Sequence, residues 1–92
     1  MFLLFSVKSD EEAIALANSS EYGLSGSVFS KDNERAERVL RELESGFVFA
    51  NKMVHADPRV PSGGVKSSGF GRECGFSGLT SFTNQKSMWF FD

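Results

Sequence analysis

The sequence predicts an α/β fold built around a small parallel sheet, on three observations. Apolar runs at Phe2–Val7, Ser25–Phe29 and Phe47–Ala50 have the length and composition of short strands. The two segments between them carry apolar residues at helical spacing. Their links are short, so the order reads β-α-β-α-β, and right-handed crossovers onto a parallel sheet follow from it.

Phe2–Val7 is a continuous apolar run ended by Lys8, the pattern of a strand buried on both faces. Ser9-x-x-Glu12 is a capping box, in which the Ser9 hydroxyl accepts from the Glu12 amide and the Glu12 side chain reaches back to Ser9. A helix follows through Ala13, Ile14, Leu16 and Ala17, and Asn18–Ser19–Ser20 stops it. Tyr22–Gly23–Leu24 reads as a turn before the second strand, Ser25–Phe29. Ser30 or Asp32 caps the next helix, where Ala36, Val39, Leu40 and Leu43 form one apolar stripe. Ser45–Gly46 closes that helix, with the glycine expected in a left-handed cap. Phe47–Ala50 is the third strand and delivers Asn51 to its end.

Residues 51–73 have neither a helical nor a strand period. They hold both prolines, the only histidine and four glycines, with Lys66 and Arg72 straddling the glycine-rich half. Loops longer than ~12–15 residues are usually functional or disordered. A sharp strand signal before this one and an apolar segment after it predict an ordered functional loop. In parallel sheets ligands sit beyond the carboxyl ends of the strands, and the loop starts at such an end. Gly75–Phe82 is a short helix weakened by Gly78, and Gln85–Phe91 reads as a closing strand. A terminal strand as apolar as Met88–Phe91 is an aggregation hazard as a bare edge, so cover from another chain or domain is expected.

Ninety-two residues make one domain at most, and a chain this short buries roughly 60–65% of its unfolded surface. Ten phenylalanines imply either a well-filled core or faces covered by more protein. A net charge of −2 and a pI near 5.4 argue against nucleic acid or anionic membrane as the main partner. One cysteine excludes an internal disulfide framework, which makes a reducing compartment, the cytoplasm, the expectation. The opening MFLLFSV lacks a basic start and is too short for a signal segment, and no stretch approaches the ~18 apolar residues of a membrane span.

Visible chemistry is sparse. Gly69–Gly75 nearly matches G-x-G-x-x-G, but the third glycine is one place late and no strand precedes it. Gly64-x-x-x-x-Gly69 continues with Phe70–Gly71 instead of Lys–Ser/Thr, so it is not a phosphate-binding P-loop. Cys74 is expected to be structural, since Glu73 offsets Arg72 and no base adjoins it. One histidine and one cysteine cannot build a structural zinc site. The acidic residues fall on helices and read as solvated faces.

The order of motifs is more specific. Glu21-Tyr22-Gly23-Leu24-Ser25-Gly26-Ser27-Val28-Phe29, then Gly46-Phe47-Val48-Phe49-Ala50-Asn51, then Pro61-Ser62-Gly63-Gly64-Val65-Lys66-Ser67-Ser68-Gly69-Phe70-Gly71-Arg72-Glu73, resembles the C-terminal end of the aldehyde dehydrogenase superfamily. The resemblance covers essentially the whole chain. The segment Asn51–Arg59 looks most like the succinate-semialdehyde dehydrogenase branch, usually NADP-linked in bacteria.

The resemblance implies an oxidoreductase converting an aldehyde to an acid through a cysteine thiohemiacetal and hydride transfer to NAD(P). It implies that residues 1–84 are the C-terminal portion of the catalytic domain and 85–92 a terminal oligomerisation strand. Carried over by position, Asn51, His55 and Ala56 would line the substrate pocket. Gly63 and Gly64 would pack closely beside it, and Arg72 and Glu73 would fix the loop to the body. The expected partners are the rest of the dehydrogenase chain and further copies through the C-terminal strand.

Departures from the family pattern set the rest of the expectation. Cys74 does not match the family's nucleophile motif, and the general-base glutamate, oxyanion-hole asparagine and cofactor-binding residues have no counterpart here. No catalytic, cofactor-binding or metal residue is therefore expected in this chain. NADP or NAD would serve the full-length enzyme, with none bound to this piece, which should be inactive alone. Ser62 replaces a phenylalanine of the family motif. Ala56 stands where a succinate-semialdehyde enzyme often has a serine that binds the substrate carboxylate. The alternative is a small stand-alone binding or assembly module. An RNA-binding sheet is faintly echoed by Ser45–Phe49, but that signature needs a basic residue where Ser45 stands.

Overall fold

The computed structural model describes all of residues 1–92. In chain order the elements are α1 (Asp10–Asn18), β1 (Tyr22–Gly23), β2 (Ser25–Val28), α2 (Asn33–Glu42), β3 (Phe47–Ala50), β4 (Val65–Lys66) and α3 (Gly75–Thr80). β2 and β3 pair in parallel, Ser25 opposite Phe47 through Val28 opposite Ala50, with α2 as the crossover between them. β1 and β4 pair antiparallel, Tyr22 with Lys66 and Gly23 with Val65. The parallel α/β core is the predicted one, but with two strands in the parallel ladder.

Helix caps follow the local chemistry. Ser9 Oγ accepts from the Glu12 amide at 3.1 Å, while the Glu12 carboxylate reaches the Lys8 amide at 2.8 Å, one residue beyond the expected Ser9 partner. Asp32, not Ser30, caps α2 by accepting from the Arg35 amide at 3.1 Å; Ser30 Oγ accepts from the Asp32 amide instead. The two helices are pinned by Asp10, whose carboxylate takes Arg35 Nε at 2.8 Å and Arg38 Nη2 at 2.7 Å. The Arg35 guanidinium bonded to it holds the Asp10 carboxyl below the usual range.

Four expectations change. Phe2–Val7 and Gln85–Phe91 form no ladder within this chain, because strand status needs a hydrogen-bonded neighbour and none lies beside them. Tyr22–Gly23 is a strand and not a turn, since Val65–Lys66, inside the stretch read as irregular, comes back to pair with it. Gly46 is not in the left-handed region; α2 ends in extended backbone at Leu43. Glycine is required at 46 because a Cβ there would collide with the Gly63 carbonyl.

Burial is sparse. Ile14 and Ala36 are the only buried apolar residues, among five buried in all. The accessible surface is 8008 Å², against about 5,300 Å² for a folded monomer of this mass. The Cα radius of gyration is 17.6 Å, where a self-contained domain of this length has about 12 Å. Of the two readings the phenylalanine count allowed, these values favour faces that more protein would cover.

Gly46→Ala should therefore destabilise the chain by more than about 2 kcal/mol, because the obstacle is backbone. Gly26→Ala should cost less than about 1 kcal/mol, since the one tight approach of its methyl is to the movable Leu43 side chain, at 3.1 Å. Urea titration followed by circular dichroism checks the ordering.

Candidate functional site

The long segment after β3 runs back along the sheet instead of away from it. Asn51 begins it at the carboxyl ends of β2 and β3, where its amide donates to the Val28 carbonyl at 2.7 Å. Its glycine-rich half lies at the opposite, amino ends, where Gly63 underlies Gly46 and β4 pairs with β1. Four residues of extended strand separate the two ends by about 13 Å. Only the Asn51 end occupies the position where parallel sheets place ligands.

Asn51 adopts a left-handed conformation with φ 54°. Its Oδ1 accepts from the Ser30 amide at 2.8 Å, which joins the β2–α2 link to the start of the long segment. Asparagine tolerates this backbone better than most residues because its short side chain bonds locally. Asn51 borders a shallow cleft with Phe29, Ser30, Lys31 and Asn33. His55 is exposed and Ala56 also lies outside that cleft. Of the three expected pocket residues, the chain thus places Asn51 in a concavity and leaves the other two away from it.

The glycine-rich half forms a second cleft with Leu24, Phe47, Ser62, Arg72 and Phe82 among its walls. Arg72 braces this half internally, donating from Nη1 to the Gly64 carbonyl at 3.1 Å and the Gly71 carbonyl at 2.7 Å, both within the same segment instead of the body of the chain. Ser62 and Glu73 exchange backbone hydrogen bonds at 2.8 and 2.7 Å and close the loop's neck. The four glycines of this half have no need of a phosphate to explain them. A Cβ on Gly63 would meet the Gly71 carbonyl at 2.7 Å and one on Gly64 the Ser68 Cβ at 2.5 Å. Gly69 and Gly71 meet nothing but have positive φ, +118° and +79°. The chain's own packing and turns account for all four, so no residue here is assigned to hold a dinucleotide.

Lys66 is the residue sequence reasoning undervalued. Its φ is 52°, costly for a lysine. Its Nζ donates to the carbonyls of Asn18 at 2.9 Å and Ser20 at 3.2 Å and forms an ion pair with Glu44. Asn18 completes the latch, donating Nδ2 to the Glu42 carbonyl at 2.8 Å and accepting from the Glu44 amide at 2.9 Å. This ammonium is committed to holding the end of α1, the exit of α2 and β4 together. Cys74 sits at φ 61° before α3, half-buried, with no side-chain capping bond. No cluster of three or more histidine, cysteine or carboxylate side chains is placed to bind a metal, and no helix is long and apolar enough to cross a membrane.

Between the two ends, Asp57 organises the exposed part. Its carboxylate accepts from the Arg59 amide at 2.9 Å, Nε at 3.0 Å and Nη2 at 2.7 Å. Those bonds hold its carboxyl down at about 2, against 3.8 ordinarily. Because the value in the ordered turn is the lower one, the turn is favoured above pH 3.8 and loses that support as pH falls through about 2. The Asp57 carboxyl carbon shift should titrate with a midpoint near 2, and Arg59→Ala should move it back toward the ordinary carboxylate value.

Comparison with known proteins fits this geometry. The model of the aldehyde dehydrogenase family matches residues 1–88. The chain is 49% identical over 84 residues to succinate-semialdehyde dehydrogenase [NADP(+)] of Deinococcus radiodurans, covering 91% of this chain and 18% of that one. It is 52% identical over 81 residues to chloroplastic betaine aldehyde dehydrogenase of Atriplex hortensis, covering 88% and 16%. The crystal structure of succinic semialdehyde dehydrogenase from Streptococcus pyogenes, in complex with NADP+, superposes with a TM-score of 0.89 at 43% identity, covering 94% and 19%. The chain therefore spans about a fifth of the length of the relatives it matches. With residues 1–88 inside the family model and a backbone that superposes on a solved member of it at 43% identity, this chain belongs to the aldehyde dehydrogenase family.

Proposed function

We propose that this chain is the C-terminal portion of a cytoplasmic, NAD(P)-dependent aldehyde dehydrogenase that oxidises a semialdehyde, with succinate semialdehyde as the leading substrate. Membership of an oxidoreductase family is the firm base. The single observation that carries the finer reading is the pairing of a TM-score of 0.89 to a succinic semialdehyde dehydrogenase with the surface left open here. The backbone follows that of a segment of a larger enzyme, while its own apolar faces stay uncovered.

In this reading the reacting groups lie on the other four-fifths of the enzyme, and nicotinamide supplies the hydride acceptor. What this chain contributes is wall and register. Asn51 fixes where the long segment leaves the sheet by holding the Ser30 amide. The Asp57–Arg59 turn shapes the middle of that segment, which carries His55 and Ala56 on its exposed surface. Lys66 ties the far end to the end of α1, and Arg72 braces that end internally, so that the exposed part is tethered at both ends. The remaining body of the enzyme covers Phe2–Val7 and the outer apolar faces, and the terminal segment takes part in assembly between copies.

The test is complementation between this chain and a succinate-semialdehyde dehydrogenase lacking the matching segment. Neither piece alone should reduce NADP+, and the mixture should do so with a higher kcat/KM for succinate semialdehyde than for betaine aldehyde. NADP+ reduction by the chain alone, or a preference for betaine aldehyde, would overturn the proposal.

A further inference from the structure

Behind the exposed arc of the long segment stands the start of α3. Residues 57–60 close a β-turn, with the Val60 amide donating to the Asp57 carbonyl at 3.0 Å. Asp57 at the first position and Pro58 at the second suit a type I turn, in which the Asp57 carboxylate also takes the Arg59 amide. Arg59 does not have a positive φ, which excludes the type II form. The two forms differ by a flip of the central peptide, so the direction of the Pro58 carbonyl decides between them. That carbonyl accepts from the Gly75 amide at 2.9 Å. Gly75 is the first residue of α3, where an amide has no partner inside the helix, and Cys74 supplies no side-chain cap. Turn and helix each satisfy what the other leaves open.

Gly75 also sets how closely they approach. Its φ is +60°, and a Cβ there would meet Pro61 Cδ at 2.9 Å and Pro61 N at 3.0 Å. Further along α3, a Cβ on Gly78 would meet the Glu73 carbonyl carbon at 2.7 Å. The helix therefore lies directly on the backbone that exchanges hydrogen bonds with Ser62. Between its two ends the arc is thus held at one inner point, the Pro58 carbonyl. His55 and Ala56 lie three and two residues before it.

We propose that Gly75 is a positioning residue for aldehyde selection: through its amide on Pro58 and its bare α-carbon against Pro61, α3 holds the stretch bearing His55 and Ala56 in place beside the aldehyde. The proposal rests on the reading above, in which this chain supplies part of the substrate wall. Gly75 touches no substrate itself and acts through the turn. Losing the bond to Pro58 frees the central peptide to flip, and adding a side chain pushes Pro61 and the turn away from α3.

Altered chains test it, each paired with the succinate-semialdehyde dehydrogenase lacking the matching segment. Gly75→Ala presses on Pro61 and strains the backbone. An ester in place of the Cys74–Gly75 amide, made by chemical ligation, removes the donated N–H with no added bulk, and decides the matter if Gly75→Ala does not fold. Gly71→Ala is the control, since its φ is +79° and its Cβ would meet nothing, so it adds strain without touching the arc. The KM for succinate semialdehyde should rise about tenfold in Gly75→Ala and about fivefold in the ester. The KM for NADP+ and kcat should stay within about twofold of the parent, and Gly71→Ala should move none of the three. A merely structural role would lower activity in all the variants alike without parting the two KM values. In the chain alone, Gly75→Ala should shift the amide resonances of His55, Ala56, Arg59 and Val60 and leave those of β2 and β3 in place. With an active parent mixture, an ester whose aldehyde KM equals the parent's, two KM values that rise together, or unshifted arc resonances would each overturn the proposal and spare the functional reading. A parent mixture that reduces no NADP+ removes the reading and the proposal together.

Discussion

A succession of backbone-on-backbone approaches holds this chain together, and glycine makes each one possible. Gly23 lies against the Glu44 carbonyl and within 2.8 Å, in Cβ terms, of the Val65 side chain; Gly46 lies against Gly63; and Gly63 lies against Gly71. Because no side chain intervenes, amides and carbonyls from segments far apart in sequence come within bonding range. The Gly46 amide donates to the Gly23 and Leu24 carbonyls at 3.0 and 3.1 Å, and the Ser67 amide to the Glu21 carbonyl at 2.9 Å. The Gly23 amide reaches the Ser68 hydroxyl at 3.0 Å. Remove one contact and the long segment loses its seat at the amino end of the sheet.

Local signals were legible and distant ones were not. The caps at Ser9 and Asp32, the α2 stripe and β3 all rest on neighbours within a few residues, so spacing revealed them. β4 is two residues long and exists only because β1 lies opposite, 42 or more residues away in the chain; no period of two can show in so short a run. The same holds for the Lys66 latch. Lysine in a loop reads as a solvated charge until Asn18 and Glu44 are brought to it. At the candidate site, Asn51 was readable from its place after a strand. His55 and Ala56 are exposed on the long segment, outside the cleft that Asn51 borders.

Polarity is distributed in an inverted way relative to a free-standing domain. Much of what closes around its inner contacts is polar or backbone: the Asp10 pairing, the Asn18–Lys66 latch and the glycine contacts. Large apolar residues, Phe2 and Leu4 at one end and Met88–Phe91 at the other, are left outward. Polar bonding of this kind fixes geometry without supplying much hydrophobic driving force. A segment so constructed keeps its shape as an insert in a larger body and gains its stability from what packs over it. That matches a chain spanning about a fifth of its relatives.

The reversal of the long segment along β3 has one more consequence. Its start is fixed where Asn51 meets Ser30, and its finish where Ser62 meets Glu73 and Gly63 slides under Gly46. Extra or missing residues can be absorbed only between those moorings, chiefly in the exposed turn around Asp57. Length polymorphism confined to that arc would remodel the surface beside Asn51 while leaving the strand register and the glycine stack untouched.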